Sequence, residues 1–125
     1  MKKILLLVLL IVLLTGCRES LEERAAREAE TYTEQTCPYH MDKFTTLNAV
    51  KFDKATHMFT NEYTLKGDAD RELSEAEKEN IRVALEQSLK NDTKQRVYRD
   101  AGYAYRYIYY SAKDPKTIIF EATFK

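Results

Sequence analysis

Tyr103, Tyr105, Tyr107 and Tyr109 occupy every second position near the end of a 125-residue chain. Alternate side chains of an extended strand leave the same face, so this spacing aligns four phenol rings in one row. Tyrosine combines a large, stiff contact area with a polar tip, which suits binding. The same residue is also favoured in strands for cross-strand packing alone. Other chemistry-bearing residues are few. Asp68, Asp70, Glu72 and Glu79 imitate positions 1, 3, 5 and 12 of a calcium loop, but Leu73 stands where the sharp turn needs glycine. His40 and His57 are the only imidazoles, and their spacing is not that of a metal site. Asp42 could orient His40 as a base, yet no nucleophile or oxyanion loop accompanies the pair. There is no glycine-rich phosphate loop. The residues therefore point to a binding module without cofactor, catalytic centre or metal.

The elements that carry these residues read as α+β. Arg18 to Thr36 has six Glu, three Arg, and no Gly or Pro. Ser20 and Glu23 fit a capping box, and Leu21, Ala25, Ala29 and Tyr32 form a thin apolar stripe. This segment is expected to be a helical or disordered spacer. Cys37-Pro38 ends it, because the residue before proline avoids helical geometry. Phe44 to Phe52 and His57 to Leu65 predict a hairpin, with Phe59, Tyr63 and Leu65 facing inward. Ser74 and Glu77 form a second capping box that opens a helix whose apolar side holds Ile81, Ala84, Leu85, Ser88 and Leu89. Gly102 to Ser111 and Thr117 to Phe124 predict a second hairpin. If Ser111 pairs with Thr117, Tyr107 lies opposite Glu121 and Tyr109 opposite Ile119. The expected architecture is hairpin, helix, hairpin, forming a four-stranded antiparallel sheet with one helix packed on it. That register puts Ile108 and Phe120 in the core and leaves the tyrosine row on the face without the helix.

The chain starts with Lys2 and Lys3, followed by an apolar run from Ile4 to Leu14. Eleven residues are too short for a membrane-spanning helix, which takes about 20, but match the apolar part of a secretory signal. Leu14-Thr15-Gly16-Cys17 resembles the lipobox of bacterial lipoproteins at all four positions. The resemblance implies cleavage by the type II signal peptidase before Cys17, a diacylglyceryl group on the Cys17 thiol, and palmitate or a similar acyl group on the freed amine. It divides the chain into a signal peptide (1–16), a lipidated Cys with spacer (17–36) and a small α+β domain (37–125). Arg18 is not the Asp that commonly retains lipoproteins in the inner membrane. The resemblance therefore implies the periplasmic face of the outer membrane in a Gram-negative cell, and the outer face of the plasma membrane otherwise.

Removing residues 1–16 leaves 18 basic against 20 acidic side chains. This slight acidic excess argues against nucleic acid as a partner. Mean hydropathy is −0.54, so a small number of strands and one helix must supply the core. With Cys17 lipidated, Cys37 is an odd thiol in an exported protein, either a small buried hydrophobe or half of an intermolecular disulfide. Cys37-Pro38-Tyr39-His40-Met41-Asp42-Lys43-Phe44-Thr45-Thr46-Leu47, with Ala101-Gly102 leading into Tyr105-Arg106-Tyr107, is similar to small uncharacterised bacterial lipoproteins and implies no function. The sequence predicts a lipid-anchored, non-catalytic binding or adaptor domain of the cell envelope, with an envelope protein as partner. An envelope inhibitor, immunity or exclusion factor is the alternative, and a hydrolase ranks third.

Overall fold

A computed structural model describes residues 19–125. The signal peptide (1–16) and Cys17 expected from the sequence lie outside the described residues. Helix α1 (Leu21–Thr36) opens on Ser20, whose hydroxyl accepts from the Glu23 backbone N–H at 3.1 Å. Ala25 and Ala29 are 0% and 4% exposed. Their methyl-sized side chains let α1 lie close on strand β2 (Thr45–Asp53). Thr33 fixes the contact. Its hydroxyl donates to the Val50 carbonyl at 2.8 Å and accepts the Val50 N–H at 2.9 Å. The segment expected to be a spacer is thus part of the folded unit, which begins before residue 37. A thin alanine stripe is what close packing requires, because a bulkier one would hold the helix off the sheet.

Strand β1 (Tyr39–His40) is a two-residue edge on β2, reached through a cis Cys37–Pro38 bond. β2 pairs antiparallel with β3 (Met58–Leu65), with a bulge at Asn48 and a turn in which His57 takes a φ of 54°. Helix α2 (Glu75–Asn91) starts with the predicted capping box: Ser74 and Glu77 each accept from the other's backbone N–H. It buries Leu89 and packs Leu85 against the core. A short helix α3 (Arg96–Asp100) follows. Gly102, at φ 83°, turns the chain out of it while the Tyr103 N–H returns to the Tyr98 carbonyl at 3.1 Å. Strands β4 (Ala104–Ser111) and β5 (Ile118–Phe124) complete a sheet of order β1-β2-β3-β4-β5.

Three expectations are corrected. The sheet has five strands and is mixed, because β3 and β4 run parallel. The connection through α2 and α3 is a long crossover, which allows parallel pairing where a tight turn would not. Two helices, α1 and α2, lie on the sheet face instead of one. The tyrosine row lies under them, not on the open face: Tyr103, Tyr105 and Tyr107 are 4%, 4% and 7% exposed, and Tyr109 is half-buried. A bulge sets which residues of β5 lie beside them. Ser111 N–H meets the Thr117 carbonyl and Tyr110 pairs with Ile118, as expected, but Tyr109 then pairs with Phe120 and Tyr107 with Ala122. One extra residue moves a strand's facing by one position, so Phe120, Ala122 and Phe124 join the tyrosines on one side. The opposite face carries the Lys51–Glu62 and Arg106–Glu121 ion pairs at 2.6 Å, and between Glu62 and Glu121 it buries Ile108, which is 2% exposed and so lies on the face opposite Phe120.

Candidate functional site

The register across the sheet builds a depression. Two rows on the helix-covered face are bulky throughout: Leu47-Tyr63-Tyr109-Phe120 and Phe52-Phe59-Tyr105-Phe124. The row between them is Val50-Asn61-Tyr107-Ala122, with two small members. Ala29 of α1 faces this region, and α2 lies on the far side. The result is a cleft of about 650 Å³. Its α1–β2 wall is apolar, with Ala29, Tyr32, Met41, Leu47 and Val50. Its α2 wall and the turn after it are polar, with Ser88, Asp92, Lys94 and Gln95. Asn61, Tyr63, Tyr105 and Tyr107 form the floor together with Phe59, and Arg24 and Glu28 stand at one end. The volume falls in the ~300–1,000 Å³ range of small-molecule sites.

The floor is braced by aromatic contacts. Tyr63 stacks on Tyr109 with ring centres 4.4 Å apart, and Phe59 stacks on Tyr105 at 5.1 Å. Tyr105 donates its hydroxyl to Gln95 Oε1 at 2.8 Å, fixing the turn after α2 over the floor. The Tyr98 hydroxyl donates to Glu28 Oε2 at 2.6 Å, and Arg24 Nε donates to Glu28 Oε1 at 2.8 Å. Burial alone would raise the Glu28 pKa. The Tyr98 hydroxyl and the Arg24 guanidinium outweigh it and hold the carboxyl below its ordinary value. Burial pushes the Tyr63 phenol up to about 12 and raises Tyr105, Tyr107 and Tyr109 as well. All four phenols therefore keep their protons at neutral pH.

On the cleft floor the Tyr105 hydroxyl is engaged by Gln95, whereas the Tyr107 hydroxyl has no hydrogen-bond partner among the described residues. Among those residues, no polar side-chain atom sealed from solvent lacks a partner. The Tyr107 hydroxyl therefore opens onto the cleft.

The other candidate residues are dispersed. Tyr103 is a packing residue, stacked on His57 at 4.6 Å and on Tyr98 at 5.7 Å. His57 Nε2 bonds Glu22 Oε1 at 2.7 Å, tying the β2–β3 turn to the start of α1. His40 contacts Thr46, and Asp42 accepts the backbone N–H groups of Phe44 and Thr45 at 2.8 Å, so the two do not form a catalytic pair. Asp70 accepts the Lys113 N–H at 3.0 Å and holds the β4–β5 loop, while Glu79 lies on α2. The acidic positions therefore do not converge as a calcium loop would bring them. Cys37 is a free, half-buried thiol against the core, and burial raises its pKa. Sequence patterning missed Asn61, Gln95 and Glu28. Their roles follow from long-range register and helix placement, and no local motif marks them.

Comparison with known proteins agrees with this fold. No curated protein matches the chain in sequence. The crystal structure of a Pseudomonas aeruginosa protein thought to be secreted superposes with a TM-score of 0.63 at 14% identity, covering 86% of this chain and 96% of that one. At that identity the likeness is one of fold. A family model described as a domain of unknown function (DUF8479) matches residues 20–120, from the N-cap of α1 into β5, and the chain belongs to that family.

Proposed function

We propose that the protein is a lipid-anchored, non-catalytic binding protein of the bacterial cell envelope, and that the cleft between α1 and α2 is its binding site. The observation that carries this reading is the cleft itself: a tyrosine-floored hollow onto which the Tyr107 hydroxyl opens without a hydrogen-bond partner among the described residues. Several features support the wider setting. The lipobox resemblance at Cys17 implies export and anchoring. The fold is shared with a protein thought to be secreted. Among the described residues no helix is long and apolar enough to cross a membrane. The cleft brings neither His40 nor His57 beside Ser88, which favours binding over hydrolysis.

The reading gives the tyrosines a new part. An exposed row would act as a flat contact surface. Here Tyr105 and Tyr107 shape a recess, and Tyr32 and Met41, 41% and 52% exposed, form its accessible lip. A photo-crosslinking benzoylphenylalanine at position 32 should form a specific adduct in intact cells, and one at Thr123 on the opposite face should not. Equal adducts at both positions, or none at 32, would refute the cleft as the binding site. The anchor is tested separately: Cys17→Ala should abolish palmitate labelling.

A further inference from the structure

The chemistry of the cleft narrows what it binds, on the reading that it is the binding site. Its four charged groups cancel: Arg24 and Lys94 against Glu28 and Asp92, with Arg24 and Glu28 already paired at 2.8 Å. A charged ligand would therefore find no net complementary charge. A hydrocarbon tail is disfavoured at the floor. It would cover the hydroxyl of Tyr107, a residue only 7% exposed, without offering a hydrogen bond, and burying such a group unpaired is unfavourable. An extended peptide is disfavoured for another reason. The floor is the face of β2, β3 and β4, whose backbone groups are engaged in ladders, so no free strand edge is offered there.

A ligand matching both walls has an apolar side for Ala29 and Val50 and hydrogen-bonding groups for Asn61, Ser88, Gln95 and Tyr107. Sugar rings have this two-sided character, with C–H faces and hydroxyl edges. A protonated phenol and two carboxamides provide donors and acceptors for such hydroxyls. We infer that the cleft binds a short, uncharged saccharide.

The test is an NMR titration of the full chain in phospholipid nanodiscs with maltotriose and, separately, N,N′-diacetylchitobiose. At least one should shift the side-chain amide signals of Asn61 and Gln95 saturably at millimolar concentration. Tyr107→Phe, which removes only the hydroxyl that opens onto the cleft, should weaken binding roughly threefold to tenfold. Absence of shifts from both sugars, or shifts indifferent to Tyr107→Phe, would overturn the inference. An uncharged tetrapeptide amide serves as the comparison probe. If it alone shifts these signals, the saccharide inference fails and the binding-cleft reading stands. If neither class of probe moves them, both fail.

Discussion

Tyr109 pairs with Phe120 while its neighbour Tyr110 pairs with Ile118, leaving Ile119 as an unpaired residue in β5. This bulge decides which residues of β5 share a face with the β4 tyrosines. Were Ile119 paired in turn, Glu121 would oppose Tyr107 and the tyrosines would share a face with a carboxylate. With the bulge, Tyr105, Tyr107 and Tyr109 lie beside Phe124, Ala122 and Phe120, and the helices cover them.

Two deletions follow from this register. Removing Ile119 leaves Phe120, Ala122 and Phe124 facing the core, so the chain should still fold, within the ~0.5–3 kcal/mol of an ordinary single change. Removing Glu121 instead turns Ala122 and Phe124 outward and brings Thr123 in, and should abolish cooperative unfolding. Urea denaturation followed by circular dichroism distinguishes the two.

The packing of α1 makes a second prediction. Ala25 is fully buried, so Ala25→Leu must push α1 away from β2 and should destabilise the protein by about 1–3 kcal/mol. A freely hanging spacer would tolerate the change without loss. The urea midpoint reads the difference, and an unchanged midpoint would show that α1 is not part of the cooperative unit.

The start of α2 makes the stability pH-dependent. The Arg71 guanidinium, at 2.6 Å, and the backbone and hydroxyl of Ser74 lower the Glu77 pKa from an ordinary 4.5 to about 2. A carboxyl whose pKa is lower in the folded state stabilises that state fully above its unfolded value. The contribution is then lost as pH falls from about 4.5 to about 2. Glu77→Gln should therefore flatten the acid side of the stability curve over this window. Ser74→Ala should cost about 1 kcal/mol as a lost cap and raise the Glu77 midpoint in an NMR titration.

Much of the local structure was legible in the sequence. Ser74 and Glu77 announced α2, the inward positions Phe59, Tyr63 and Leu65 were right, and both hairpins stand where their alternation put them. What local pattern could not show was how the hairpins meet. The parallel β3–β4 pairing depends on the crossover through α2, and the unpaired Ile119 shifts which residues of β5 share the tyrosines' face. The cleft was equally hidden. It arises where Val50, Asn61 and Tyr107, distant in sequence, fall into one row and Ala29, Ser88 and Gln95 come together around it. The four-tyrosine spacing correctly marked the strand at the centre of the site, but two of its members, Tyr103 and Tyr109, turned out to brace the site without lining it.

The most direct test of the binding cleft is to fill it. Ser88 is exposed on α2 and lines the cleft, so Ser88→Trp adds bulk to the hollow without entering the core. With the photo-crosslinker at position 32, this background should keep the wild-type urea midpoint and lose the in-cell adduct. An adduct of undiminished yield in a folded Ser88→Trp protein would contradict the assignment of the cleft as the binding site.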